Sequence, residues 1–314
     1  MSSASSAPRH NSPEKWSALF SGILSPEAVI RTVEPLARRT TMRVGGPADV
    51  YVEPASEADL AQVLRVCGEH DIPWLVLGRG SNVLFRDGGY AGVVISLSQS
   101  AFARIEVAAP EINCGAGARL KDVAYQAKAA GLSGFEFMEG IPGTVGGGLR
   151  MNAGAMGGAL FDLVSLVRLM GPDGQVRGCL PAQMKVEYRR CATLKDHVAI
   201  STVLRGEPAA REEIEQRMDA FNRKRWGSQP ALPSAGCMFK NPRDVSAGKL
   251  IDELGLKGTR VGGAVVSLKH GNFIVNEGNA TAQDVCRLIE LIRERALVER
   301  GVELDPEVEI VGRE

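Results

Sequence analysis

Apolar positions recur at helical spacing in four stretches of the chain. Leu60, Val63, Leu64 and Cys67 follow a Ser56/Asp59 pair with the form of a capping box. Leu120, Val123, Ala124 and Ala127 make a second stripe, stopped by Gly131. Ile214, Met218 and Phe221 make a third. Thr281 and Asp284 cap a fourth, which carries Val285, Leu288, Ile289 and Ile292 and ends at Gly301. Short apolar runs predict strands over 50–52, 74–77, 93–97, 163–169, 198–204, 273–275 and 308–311. Strand, helix and strand over 50–77 form a βαβ unit, which predicts a parallel pair. Helices are rare from about 93 to 205 and return from 211. The pattern predicts an α+β chain with a large first part and a smaller second part, divided near the charged helix at 211–225.

Composition narrows the class. With 314 residues the chain is long enough for about two domains. Lys plus Arg equals Asp plus Glu at 37 each, so no net field draws it to nucleic acid or an anionic membrane. Aromatic residues are only 5%, too few for a platform that stacks single-stranded bases. No apolar run approaches the roughly 20 residues of a membrane span. None of the six cysteines forms a Cys-x-x-Cys pair, and the four histidines (His10, His70, His197, His270) have no metal-like spacing. These features predict a reduced, cytoplasmic protein without a metal. The Ser/Ala/Pro-rich start reads as a disordered tail.

The candidate chemistry lies in glycine-rich loops. Gly78-Arg79-Gly80-Ser81-Asn82 follows a predicted strand, and Gly140-Ile141-Pro142-Gly143-Thr144-Val145-Gly146-Gly147-Gly148 runs on into Met151-Asn152-Ala153-Gly154-Ala155. Glycine lets backbone approach a ligand, and successive free N–H groups make concave anion sites. Two such loops suit a large ligand with a pyrophosphate and a flat ring. The first loop is not a Rossmann fingerprint, because Val83 stands at the sixth position and no helix follows. A Walker A loop is absent as well.

A second cluster lies further on. Ser234 to Pro242 brings Cys237, Lys240 and Asn241 onto one short segment. Tyr188-Arg189-Arg190 offers guanidinium groups suited to a carboxylate or phosphate. Glu307 opens an apolar strand. Taken singly each has a plainer reading: an inert buried thiol, a solvated arginine pair, one more surface acid.

Together these segments resemble the UDP-N-acetylenolpyruvoylglucosamine reductases. The resemblance runs from about Thr40 to Val311, through Val44 to Asp49, Gly80 to Leu84, Gly140 to Ala155, Tyr188-Arg189, Ala235 to Pro242, Ala247 to Ile251, Phe273 to Asn276 and Pro306 to Val308. It implies an α+β flavoenzyme with a vanillyl-alcohol-oxidase-like (PCMH-type) FAD-binding fold. The implied parts are a disordered tail (1–25), FAD-binding subdomains over 26–98 and 99–207, and a substrate domain over 208–301. A terminal strand within 302–314 returns to the FAD-binding part. The implied reaction belongs to peptidoglycan synthesis, and so to cell-wall biogenesis, cell shape and division. NADPH reduces non-covalent FAD and leaves; UDP-N-acetylglucosamine enolpyruvate then takes its place and is reduced to UDP-N-acetylmuramate. The short stretch between Arg190 and Val198 implies the shorter type, without a substrate-closing loop insertion.

By the same resemblance Gly78, Arg79, Gly80, Ser81 and Asn82 would hold the pyrophosphate. Gly140, Ile141, Pro142, Gly143, Thr144, Gly146 and Gly147, with Asn152, Ala153 and Gly154, would lie beside the flavin and phosphates. Tyr188, Arg225, Lys240 and Asn241 would meet the sugar nucleotide. Arg189 and Glu307 would stabilise an enolate-like species. Where the family commonly has a serine as proton donor this chain has Cys237, a usable acid while protonated; neighbouring Lys240 and Arg189 are expected to lower its pKa. A monomer is expected. Two other classes fit less of the chain: another FAD oxidase or dehydrogenase of this fold, and a non-enzymatic nucleotide-binding protein.

Overall fold

Pro13 stands at the first turn of a helix over Pro13–Ile23, where its missing N–H costs nothing. Trp16, Leu19 and Phe20 lie on one face, and Phe20 is fully buried in the main core. The structure, a computed structural model, describes residues 12–314. The helix corrects the expected tail over 1–25, of which residues 1–11 lie outside the described residues. Its apolar face has a partner that composition alone does not reveal. Ser25, just beyond it, donates from N–H and Oγ to the Asp59 carboxylate at 2.9 and 2.7 Å. Asp59 is thereby drawn off, so the predicted capping box is half formed: Ser56 Oγ accepts from Asp59 N–H, while the carboxylate takes Ala55 N–H.

The first sheet has four strands, ordered Val29–Pro35, Pro47–Glu53, Tyr90–Ile95, Trp74–Val76. The predicted βαβ unit exists, with helix Glu57–Glu69 between its strands, but those strands are not neighbours. Tyr90–Ile95 lies between them and pairs in parallel with both. The second sheet is antiparallel and five-stranded, ordered Val176–Cys179, Val164–Met170, Val198–Arg205, Glu111–Gly115, Ile105–Ala108. Helix Leu120–Ala129 covers it through the predicted Leu120, Val123, Ala124, Ala127 face. One core cluster runs continuously through both sheets.

Beyond the charged helix Arg211–Ser228, a third antiparallel sheet is ordered Ser234–Cys237, Phe273–Asn276, Ala264–Val266, Arg260–Val261. Helix Ala282–Arg300 packs on it, with the predicted Thr281/Asp284 capping box complete. The core of this part also takes in Met42, Val44 and Leu84 from the N-terminal half. Close to the C-terminus, Glu309–Val311 pairs in parallel with Val83–Phe85, the short strand that follows the first glycine loop. The two halves therefore meet at that loop.

Candidate active site

A cavity of about 730 Å³ opens between the first two sheets and the Glu309–Val311 strand. Gly78 and Arg79 line it from the first glycine loop, and Thr144, Gly146 and Gly147 from the second. The second loop is not wholly loop: Val145–Arg150 is a short helix whose Thr144 cap accepts from Gly147 N–H at 3.4 Å. The two loops touch, since a Cβ added at Gly78 would lie 2.6 Å from Thr144 Oγ1.

Three further walls went unread in the sequence. Ala116-Gly117-Ala118-Arg119 is a third glycine-bearing loop, following the strand Glu111–Gly115. Its signal was available, as small residues alternate with glycine directly after a strand-like run. Gly117 is forced there because its Cβ would meet Leu97 O at 1.8 Å. Arg150 also lines the cavity, donating to Glu309 at 2.7 Å, and so does His197. His197 Nε2 sits 2.6 Å from Arg177, while its buried Nδ1 has no partner.

The cavity fits FAD in size and donor chemistry. Pockets for such ligands run to about 300–1,000 Å³. Arg79, Arg119 and Arg150 offer cations to a pyrophosphate, and Trp74, Leu75, Val76 and Ile105 offer apolar wall to flat rings.

The remaining loop residues knit the site together and do not line this cavity. Gly80, at φ +62°, accepts Thr41 N–H at 3.1 Å. Asn82 Nδ2 donates to Glu307 O at 3.0 Å and lies 3.5 Å from Met151 Sδ. Ser81 O faces Gly236. Gly140 lies against Arg225, whose guanidinium is half-buried and pulled down in pKa by burial, with Glu139 opposing. Ile141 and Gly143, on either side of Pro142, bind backbone to backbone: Gly143 N–H donates to Ile141 O and Gly143 O accepts Leu120 N–H. Asn152, at φ +39°, accepts Phe161 N–H and donates to Glu187 O. Ala153 N–H donates to Gly148 O, and Gly154 sits in a two-residue hairpin strand.

Beyond the start of the Glu309–Val311 strand, three chemistry-bearing side chains converge. Arg189 Nε lies 2.9 Å from Glu307 Oε1 as an ion pair, but its N–H is not aligned on that oxygen and keeps no hydrogen bond. Arg189 is in the turn between Val186–Glu187 and Arg190–Cys191, at φ +58°. A side chain there costs on the order of 1 kcal/mol, a strain typical of functional turns. The exposed Tyr188 ring lies 5.2 Å from Arg189 Cζ. Cys237 ends its strand close enough for both charges to act on it. Although Cys237 is only partly shielded from solvent, the protein packed around it desolvates its thiol and pushes it up to about 12; Glu307 adds to the rise, and Arg189 opposes. This corrects the expected lowering by cations: desolvation and the carboxylate outweigh Arg189. Burial also holds Glu307 above the usual carboxylate range, against Arg189 and Lys240.

Lys240 pairs with Asp305 at 2.6 Å, and Asn241 accepts Ala247 N–H at the start of the next helix. His270 meets Phe273 edge-on inside the third part and takes no place at the site. His70 caps the helix Glu57–Glu69.

Two family models match, an FAD binding domain over residues 48–179 and the C-terminal domain of UDP-N-acetylenolpyruvoylglucosamine reductase over 229–311. Curated reductases of that name are similar along most of their length. The Syntrophomonas wolfei protein is 39% identical over 95% of this chain and all of its own. That of Heliobacterium modesticaldum is 43% identical over 89% and 90%. The crystal structure of the Thermus caldophilus reductase superposes with a TM-score of 0.80 at 37% identity, covering 91% of this chain and 99% of that one. The α+β fold with an FAD-binding part, expected from the sequence, is the fold observed.

Proposed function

Because this chain belongs to the UDP-N-acetylenolpyruvoylglucosamine reductase family, we propose that Arg189, Glu307 and Cys237 carry the reduction of the enolpyruvyl ether to UDP-N-acetylmuramate. The carrying observation is the convergence of those three groups where the FAD cavity's C-terminal strand begins. Bound FAD supplies hydride-transfer chemistry, with NADPH as the electron source.

The chain's own residues do the rest. Reduction of the C=C bond needs one hydride at the methylene carbon and one proton at its neighbour. Charge builds on the enolpyruvyl carboxylate between these events. Arg189 faces that charge as a planar cation: its Nε is held against Glu307, and the part of its guanidinium that stays exposed is left to meet a substrate oxygen. Glu307, raised in pKa, carries a proton more readily than an ordinary carboxylate and can donate to the same oxygen. Cys237 stays protonated at neutral pH and delivers its proton to carbon. Tyr188 and Lys240 flank the trio and are assigned to the sugar nucleotide. Arg225, beside Gly140, and Asn241 are assigned to it as well. The pyrophosphate of FAD is assigned to the loops bearing Gly78 and Thr144.

Such a monomer would work in the cytoplasm, where sugar nucleotides are made. Among the described residues no helix is long and apolar enough to cross a membrane. Purified protein given NADPH and the enolpyruvyl sugar nucleotide should yield a product heavier by two hydrogens, with one product molecule formed for each NADPH consumed. NADPH consumption without that product would refute the reading.

A further inference from the structure

The direction of the Cys237 side chain rests on a bulge. Ser234 pairs with Val275 and Cys237 with Phe273, so three steps on one strand oppose two on the other. The extra residue falls at Ala235–Gly236, and Gly236 adopts φ +76°, open to glycine. Side chains alternate between faces along a strand, so loss of the bulge would turn Cys237 to the other face.

Both ends of the bulge are tied. Downstream, Met238 N–H donates to Asn272 O, and Glu307 N–H donates to Met238 O, at 2.9 and 2.8 Å. Upstream, Thr41 Oγ1 donates to Ser234 O at 2.6 Å, while Thr41 N–H donates to Gly80 O at 3.1 Å. One threonine thus joins the strand that ends in Cys237 to the first cofactor loop. A Cβ at Gly236 would lie 3.7 Å from Ser81 O, so the bulge rests on that loop.

We propose that Thr41 is the positioning residue for Cys237: its hydroxyl pins the upstream end of the bulge to the Gly80–Ser81 loop and so sets where the thiol proton is delivered. This rests on the reading of Cys237 as the acid. A shift of about 1 Å in a reacting group costs up to about a hundredfold in rate.

The test uses FAD-loaded enzyme in anaerobic stopped flow, following flavin absorbance. NADPH bleaches it, and the enolpyruvyl sugar nucleotide restores it. Thr41→Val keeps the branched shape and removes the hydroxyl. It should slow recovery on the order of tenfold, leave bleaching within about twofold, and be rescued by Thr41→Ser. In a Cys237→Ala background, adding Thr41→Val should change recovery by less than about twofold, because residues acting as a unit are not additive. Equal slowing of both half-reactions, the same loss in both backgrounds, or failure of the serine to rescue would overturn the role of Thr41. Should Thr41→Val not hold FAD, Gly236→Ala disturbs the bulge from within and should slow recovery while sparing bleaching, with little further effect in the Cys237→Ala background; equal slowing of both half-reactions, or the same loss in both backgrounds, would overturn the proposal. Recovery at the unaltered rate in Cys237→Ala alone would instead refute Cys237 as acid, and this inference with it.

Discussion

Cys237 is where the residue-scale chemistry is most exposed to test. A hydroxyl and a thiol both deliver a proton when un-ionised, so Cys237→Ser should keep turnover within about an order of magnitude. Cys237→Ala should keep NADPH bleaching and slow recovery by the substrate by about a hundredfold or more, leaving a residual rate that can still be followed; rapid recovery would remove the thiol from the mechanism. The raised pKa adds a second expectation. A thiol at its ordinary pKa near 8.5 would be almost wholly ionised by about pH 10. With the pKa pushed to about 12, the recovery step should stay flat up to that pH. A fall of about tenfold per pH unit above pH 8.5, absent in Cys237→Ser, would show that the burial seen here does not protect the acid. The sequence placed a thiol, a guanidinium and a carboxylate on three distant segments, and only resemblance joined them. Local sequence could not say that burial would outweigh Arg189, because the walls around Cys237 come from residues far away in the chain.

At the scale of elements, the two glycine loops act as one clamp. Gly78 follows a strand of the first sheet, Thr144 caps the helix Val145–Arg150, and the two meet with no room for a methyl group. Gly78→Ala must push the loops apart, and FAD should bind about tenfold more weakly, or about 1.4 kcal/mol, in a titration of flavin fluorescence. Deleting the obstructing hydroxyl in Gly78→Ala/Thr144→Ala should recover part of that affinity, less the capping contribution of about 1 kcal/mol that Thr144 makes to its short helix. Unchanged affinity in Gly78→Ala would mean the loops do not close on the cofactor. Both loops were legible from glycine spacing alone. The Ala116–Arg119 loop follows its strand in the same way but carries only a single glycine, too weak a signal to single out. The strand expected over 93–97 is present as Tyr90–Ile95, but its insertion between the two strands of the βαβ unit was not legible, since periodicity gives strands and never their neighbours. Helix Pro13–Ile23 was hidden by the Ser/Ala/Pro-rich segment before it, although Trp16, Leu19 and Phe20 repeat at helical spacing.

For the whole molecule, the threading of Met42, Val44 and Leu84 into the core of the C-terminal part makes the halves one folding unit in the region of the site. Buried thiols give that unit a pH signature. Burial pushes Cys67 and Cys114 up to about 12, while in the unfolded chain a thiol titrates near 8.5. A raised folded pKa means the stabilisation is complete below about pH 8.5 and lost as pH rises toward 12, by about 1.4 kcal/mol per pH unit for each thiol. The urea midpoint should therefore hold between about pH 7 and 8 and fall by about pH 10; Cys67→Ala/Cys114→Ala, though less stable, should show a shallower fall. An identical slope would assign the alkaline loss to other groups, such as the raised phenols Tyr51 and Tyr90. The fold class was readable because the helical stripes are long. The joining of the halves was not, because it depends on Thr41, Met42 and Asn82, ordinary residues whose partners lie about two hundred positions on. The most direct measurement is one anaerobic spectrum of the yellow protein, bleached with NADPH and then given the enolpyruvyl sugar nucleotide. Return of the yellow absorbance without oxygen is the result expected of a flavin that passes electrons from NADPH to the vinyl ether; a protein that stays bleached until air is admitted would contradict it.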